Sequence, residues 1–189
     1  MLDRRSTLLA AAGFASLVAG PRVLVAAEYM SIDAAQRAAF PSADRFEEIA
    51  LSLTAPQRQA VAAQAGPQPP HRSLRAWRAT QKDALLGHVF VDEVIGREDF
   101  ITYSSSIDVA GKLGPVEVLA YRESHGGEIR GAAWRDQFRG RDDLSGLRFG
   151  TDIKNIAGAT LSCEHVTQGV RWILALWQVS LRAAASGAS

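Results

Sequence analysis

The chain has few of the residues that common redox and metal centres use. Of its 189 residues, one is a cysteine, Cys163, and four are histidines. A single thiol excludes an internal disulfide, a Cys-x-x-Cys redox pair and the Cys-x-x-Cys-His haem motif. It also excludes a zinc site of paired cysteines, and His88 and His165 lack ligand spacing. We therefore expect no metal site, and a fold that relies on its hydrophobic core alone.

Signatures of common nucleotide-binding and hydrolytic folds are also missing. No Gly-x-Gly-x-x-Gly fingerprint follows a strand pattern with a crossover helix behind it, so a Rossmann unit is not expected. His125-Gly126-Gly127 has the form of an esterase oxyanion loop, but no Gly-x-Ser-x-Gly nucleophile elbow accompanies it. Glu123 and Glu128 have no identifiable partner for paired-carboxylate catalysis. A hydrolase is therefore the least favoured class of function.

The one long apolar run lies at the N-terminus and reads as an export signal. Arg4-Arg5 precede the run Leu8 to Gly20, and small residues follow at Val25-Ala26-Ala27. This order predicts a twin-arginine-like signal over residues 1–27, cleaved near Ala27, and a periplasmic or otherwise extracytoplasmic location. The run falls short of the roughly 20 residues that a membrane span needs. A buried N-terminal helix, an uncleaved anchor and the general secretion route are the alternatives.

Neither sign of charge predominates in the chain. Removal of residues 1–27 lowers the basic count from 21 to 18 and the acidic count from 20 to 19. No basic block stands out, so nucleic acid is not an expected partner. Residues 28–180 are long enough for one domain with a real core, and residues 181–189 are predicted to form a disordered tail.

Helix patterns flank a run of strand patterns. Helices are predicted over Asp33–Phe40, from the capping box Thr54–Gln57 to about Ala65, over Ala133–Phe138 and over Glu164–Trp177. Strands are predicted over Ala76–Thr80, Leu85–Val91, Phe100–Ser104 and Val116–Arg122, with turns at Lys82-Asp83 and Gly111–Gly114. The order predicts a single α+β domain, a small antiparallel sheet packed with helices.

The segment Asp152–Ser162, just before the last helix pattern, is the most informative part of the chain. Thr160 and Ser162 are candidate N-caps, and Gly158 and Ala159 leave the backbone open to a ligand. A loop of small residues that enters a helix favours a phosphate, since free N–H groups and the helix dipole both attract an anion. The plain alternative is a helix cap with no ligand.

The run Gly158-Ala159-Thr160-Leu161-Ser162 resembles the Ser-Gly-Ala-Thr signature of the FMN-binding domain family. That family includes the covalently flavinylated subunits of the sodium-pumping NADH:quinone oxidoreductase and of the Rnf complex. The resemblance implies that a flavin transferase attaches FMN through its phosphate to Thr160. Two positions depart from the family pattern: Ala157 stands where serine is usual, and Lys154 where aspartate is usual. Asp152 lies two residues before the second departure.

The resemblance extends from about Ser31 to Trp177, over landmarks that are individually unspecific. They are Ala39-Phe40-Pro41, Gly96, Arg122–Ile129 and Trp134–Gly140. The small residues Gly158 and Ala159 leave room for a phosphate, and the Ser162 hydroxyl is a candidate donor to it, with capping as its alternative. The resemblance implies that the backbone at Gly126 approaches the flavin, and the i, i+4 spacing of Trp134 and Phe138 suits them to cover the ring. A glycine-rich turn and a core aromatic pair are the plain alternatives for the last two.

Together these features predict an exported, FMN-carrying electron-transfer domain rather than a stand-alone enzyme. Its expected partners are a flavin transferase and a redox protein, in the membrane or outside it. The alternative is a flavin-free periplasmic binding or accessory domain of the same fold, because the departures at Ala157 and Lys154 would disable attachment.

Overall fold

The computed structural model describes residues 27–68 and 71–183. Residues 1–26 of the predicted export signal and residues 184–189 of the predicted tail lie outside the described residues. None of the described helices is both long and apolar enough to cross a membrane.

The chain folds into one antiparallel sheet with helices on both of its faces. In chain order the elements are β1 (Ala27–Glu28), α1 (Ile32–Ala39), β2 (Arg45–Ile49), α2 (Ala55–Ala65), β3 (His71–Gln81), β4 (Ala84–Ile95), β5 (Phe100–Asp108), β6 (Glu117–Tyr121), α3 (Ala132–Arg135) and α4 (Thr160–Ser180). The strand order is β1-β6-β5-β4-β3-β2, and every neighbouring pair is antiparallel. The predicted single α+β domain is confirmed.

The two faces of the sheet are buried by different helices. On one face α4 and α2 cover the larger core, which includes Phe90, Tyr103 and Trp177. On the other face α1 covers a smaller cluster around Trp77 and Leu119. Removal of apolar surface from water at about 25 cal/mol per Å² drives both contacts. Because α4 lies along β4 and β5, its two ends are held near opposite ends of these strands.

Local signals in the sequence account for the clearest element boundaries. The side chains of Thr54 and Gln57 form the reciprocal capping box that starts α2, and Gly66 ends it with φ 88°. Lys82 and Asp83 both have positive φ, 47° and 69°, and join β3 to β4 as a two-residue hairpin turn. Such turns match the twist of the flanking strands. Both predictions are confirmed.

Several predicted boundaries are wrong. The patterns missed β1 and β2, and the helix predicted over Ala133–Phe138 is the single turn α3, continued by hydrogen-bonded turns toward Gly140. Helix α4 starts four residues earlier than predicted and ends at Ser180. Leu181, expected in a disordered tail, caps α4 and packs against the core, so the part of that tail within the described residues continues the helix end.

Candidate functional site at the start of the longest helix

Helix α4 begins without a side-chain cap. Its N-cap is Ala159, whose carbonyl accepts the first helical hydrogen bond from the N–H of Cys163 at 2.9 Å. The prediction that Thr160 or Ser162 caps the helix is therefore wrong. Thr160 is the first helical residue, one position too late for its hydroxyl to serve the following N–H groups.

The first turn of α4 has backbone donors to spare. The N–H groups of Thr160, Leu161 and Ser162 have no acceptor within residues 27–68 and 71–183. They lie at the positive end of a helix of 21 residues. Unpaired N–H groups and the helix dipole together attract an anion to this point.

A cleft of about 250 Å³ opens directly onto this turn. It is lined by Arg97, Glu98, Glu123, Ser124, His125 and residues 158–162. Thr160 and Leu161 are exposed at its rim, whereas Ser162 and Ala159 are buried. Of the lining side chains, Arg97 is positively charged, and its Nε lies 3.9 Å from Oε1 of Glu98, which also lines the cleft.

One wall of the cleft is the loop between β4 and β5, held by Glu123. The carboxylate oxygen Oε1 of Glu123 accepts hydrogen bonds from the backbone N–H groups of Glu98 at 2.8 Å and Asp99 at 3.0 Å. A Cβ at Gly96 would come within 2.2 Å of that oxygen, so a larger residue there would displace the carboxylate. His165 on α4 donates from Nδ1 to the carbonyl of Ile95 at 2.6 Å and ties the same loop to the helix.

The opposite wall is the glycine-rich turn that follows β6. The hydroxyl of Tyr121 donates to the carbonyl of His125 at 2.6 Å and lies 3.4 Å from Oγ of Ser162. Burial raises the pKa of Tyr121, so the phenol stays a neutral donor. Gly126 has φ 81°, and a Cβ there would lie 2.6 Å from Cβ of Ala159. The turn and the start of α4 can pack this closely only because this residue is glycine.

The hydroxyl of Thr160 has a neighbour that the sequence did not suggest. Its Oγ1 accepts a hydrogen bond from Nδ2 of Asn155 at 3.0 Å. Both residues are exposed at the rim. The contact orients the Thr160 oxygen and leaves the hydroxyl proton for another acceptor.

The loop before α4 is held from behind by aromatic and polar side chains. Nε1 of Trp134 donates to the carbonyl of Lys154 at 2.8 Å, and Oε1 of Gln137 accepts from the N–H of the same residue at 2.7 Å. Asp152 accepts from the N–H and Nε of Arg148 at 3.0 and 2.8 Å, which lowers the pKa of its carboxyl group. Asp152 thus organises this loop.

The structure brings most of the predicted site residues together, but not all. Gly158, Ala159, Thr160 and Ser162 line the cleft, and Gly126 packs directly behind Ala159. Trp134 is 4% exposed and packs edge-on against Phe138 with ring centroids 5.1 Å apart. Trp134 and Phe138 therefore form a core aromatic pair, the plain alternative to a cover for the flavin ring. Trp134 supports the loop and does not line the cleft.

Four side chains in or beside the cleft were not predicted as part of the site: Arg97, Tyr121, Glu123 and Asn155. A contiguous motif could show none of the first three, because they reach the cleft from segments about 40 to 60 residues away in sequence. Asn155 lies in the same loop as Thr160. Because asparagine often donates hydrogen bonds to neighbouring residues, its type and position could have suggested this contact.

Comparison of the sequence with protein-family models and with curated proteins gives no match. Among the described residues, no three histidine, cysteine, aspartate or glutamate side chains cluster as a metal site would require. The resemblance at the start of α4 therefore rests on its own residues and on the cleft that they line.

Proposed function

We propose that the chain is a flavin-carrying electron-transfer domain, with FMN held by its phosphate at Thr160. The observation that carries the proposal is a group of three N–H donors, at Thr160, Leu161 and Ser162, that have no acceptor among the described residues and lie beside an exposed threonine hydroxyl. A phosphate accepts several hydrogen bonds and carries negative charge, so it suits both the donors and the helix dipole. Bound there, the flavin would supply reversible electron transfer.

The surroundings of Thr160 suit a covalent bond as well as an ionic contact. The transferase would join Thr160 Oγ1 to the FMN phosphorus of FAD as the diphosphate bond breaks, AMP leaves and the hydroxyl proton is released, so that the protein gains FMN less water. The hydroxyl is exposed to an approaching transferase and is oriented by Asn155. Arg97 and Ser162 would then offer a charge and a hydroxyl to the remaining phosphate oxygens.

The size of the cleft supports a carrier rather than an enclosed enzyme site. Its volume of about 250 Å³ is below the roughly 300–1,000 Å³ of pockets that engulf a ligand. A flavin anchored at Thr160 would therefore extend its ring to the mouth of the cleft. Leu161, 43% exposed there, offers the ring an apolar contact. A ring in this position is accessible to a redox partner.

A flavin-free accessory domain is the second candidate, and the sequence departures favour it. Lys154 is exposed, and its Nζ contacts the carbonyl of Thr151 at 3.4 Å. Ala157 supplies no hydroxyl to the loop. If the transferase needs serine and aspartate at these positions, the chain would stay unmodified and the start of α4 would be a bare helix end.

Intact mass of the protein co-produced with an active flavin transferase separates the two candidates. The mature wild type should gain one FMN less water, turn yellow, bleach on reduction and recover with an oxidant. Thr160→Ala should abolish the increment, whereas Thr160→Ser keeps a nucleophilic hydroxyl. Thr151→Ala, which removes an exposed hydroxyl from the same loop, is the matched control and should load normally. A flavin increment on Thr160→Ala, or a colourless wild type, would overturn the proposal.

A further inference from the structure

A second cleft lies at the other end of α4. It has a volume of about 340 Å³ and opens between the end of the helix and strands β2, β3 and β4. Its lining residues are Arg45, Glu47, Ile49, Ala50, Arg78, Thr80, Asp83, Leu85, His88 and Leu181. At 1.5 Å per residue, the helix separates this cleft from Thr160 by about 30 Å.

Two buried polar side chains, Thr80 and His88, line this cleft. Thr80 is 6% exposed, and its buried hydroxyl oxygen has no hydrogen-bond partner. His88 is 2% exposed, and its one hydrogen bond within the described residues is made through Nδ1. Buried polar groups in folded proteins are nearly always paired, so the Thr80 hydroxyl, which has no partner among the described residues, points to a ligand in the cleft.

The hydrogen bond of His88 fixes which ring nitrogen can donate. Nε1 of Trp177, which is a donor only, gives its hydrogen to Nδ1 of His88 at 3.1 Å. Nδ1 is therefore unprotonated, and the neutral ring carries its hydrogen on Nε2. Burial, with the nearby charge of Arg78, lowers the pKa of His88 to about 4, so the ring is neutral near pH 7. The cleft thus meets a second donor, Nε2–H.

Among the described residues, the rim holds one cation, Arg78, whose guanidinium has no hydrogen-bond or ion-pair partner. Arg45 is paired with Asp83 at 3.1 Å. Arg78 lies opposite Glu47 in the register of β2 and β3, yet its guanidinium makes no hydrogen bond or ion pair within residues 27–68 and 71–183. The free guanidinium, the Thr80 hydroxyl and the His88 Nε2–H all belong to the same cleft.

We propose that this cleft binds a small monocarboxylate with a short aliphatic chain. A carboxylate accepts several hydrogen bonds and donates none, which matches the three donors. The aliphatic chain would contact Leu85 and Leu181, both half-buried beside the donors. Glu47 and Asp83 at the rim disfavour a more highly charged anion such as phosphate. The site is independent of the flavin proposal.

Titration with butyrate tests the site, with the His88 ring nitrogens followed by long-range ¹H–¹⁵N NMR. The wild type should show a saturable shift at Nε2, and 1-butanol, which has the chain without the charge, should give none. Arg78→Gln and Thr80→Val should each weaken binding on the order of tenfold, since each removes one hydrogen bond to a charged group. Arg75→Gln is the matched control on the same strand, because Arg75 pairs with Glu48 and stacks on Trp77 instead.

Three results would overturn the proposal. They are the absence of a saturable shift at His88, equal weakening by Arg75→Gln and Arg78→Gln, and equal competition by phosphate, which would mark an unselective anion site. If Thr80→Val fails to fold, as judged by its amide spectrum, Arg78→Gln at the exposed rim decides alone. Repeating the titration on Thr160→Ala, which should bind butyrate as the wild type does, separates failure here from failure of the flavin proposal.

Discussion

At the scale of single residues, Asn155 is the neighbour that orients Thr160. Its amide donates to Oγ1 at 3.0 Å. Where the family pattern has aspartate, this chain has Lys154, whose side chain turns to the carbonyl of Thr151 instead. The amide of Asn155 is therefore the group in this loop that acts directly on the threonine oxygen.

We expect Asn155→Ala to slow flavin attachment about two- to tenfold, the effect of one hydrogen bond of about 0.5–1.5 kcal/mol. The measurement is the initial rate at which the FMN mass increment appears with purified transferase. Thr151→Ala should keep the wild-type rate, and circular dichroism should show that both variants are folded. A wild-type rate for Asn155→Ala would mean that Thr160 needs no orientation by this side chain.

Residue by residue, the candidate site was predictable where it is contiguous. Gly158, Ala159, Thr160 and Ser162 follow one another along the chain, and the structure places them in one cleft. Glu123 could not be assigned, because its partners are backbone N–H groups of a loop some 25 residues away. The preference of threonine for N-cap positions also led to the wrong prediction that Thr160 caps α4, whereas Ala159 occupies that position.

At the scale of elements, α4 depends on the absence of a side chain at Gly169. A Cβ there would lie 2.2 Å from the hydroxyl of Tyr103 and 3.3 Å from Cγ1 of Val94. That hydroxyl is fully buried and donates to Oδ2 of Asp92 at 3.0 Å. The helix therefore approaches β4 and β5 closely enough to close over this buried pair.

Gly169→Ala should lower the free energy of unfolding by about 1–3 kcal/mol, because overpacking outweighs the helix propensity of about 1 kcal/mol that alanine adds. Urea denaturation measures the difference. Glu164→Ala, an exposed position on the same helix, should change little. In a Tyr103→Phe background, which lacks the clashing oxygen, Gly169→Ala should cost less than it does in the wild type. Unchanged or higher stability of Gly169→Ala would show that α4 can shift away from the sheet.

Elements with a strong apolar period or a clear capping box were predicted, whereas the edge strand β2, which has neither, was not. The spacing of Val166, Val170, Ile173 and Trp177 identified α4, but its first turn is too polar to continue the stripe. β2 is a charged edge strand, whose residues Arg45–Ile49 are buried on neither face. Charge on an edge protects against unwanted strand pairing, and it removes the pattern that would reveal the strand.

At the scale of the whole molecule, the α+β class followed from the order of the elements, but the arrangement of layers did not. The spacing of apolar residues shows that α1 and α4 each have an apolar side. It does not show which face of the sheet each helix covers. α1 lies over Trp77 and Leu119, and α4 over Phe90 and Tyr103. One helix thus joins two clefts through a single packed core.

The pH dependence of global stability should carry the signature of His88. Its pKa is lowered to about 4, chiefly by burial and further by the positive charge of Arg78. The imidazole of the unfolded chain has a pKa of about 6.5. Between the folded and the unfolded pKa, the unfolded state therefore binds more protons than the folded state. The stabilisation is complete above about pH 6.5 and is lost progressively as the pH falls toward the folded pKa, by as much as about 3 kcal/mol.

Urea denaturation at several pH values from 7 to 4 measures this slope, and variants isolate the contribution of one ring. His88→Gln offers an amide oxygen to Nε1 of Trp177 and does not titrate, so its free energy of unfolding should fall less steeply with acid than that of the wild type. His125→Gln, at an exposed position, should keep the wild-type slope. Since carboxylates titrate in the same range and are common to all three proteins, the difference between the curves reports on His88. Parallel curves for wild type and His88→Gln would mean that this ring gains its proton in the folded protein as easily as in the unfolded chain.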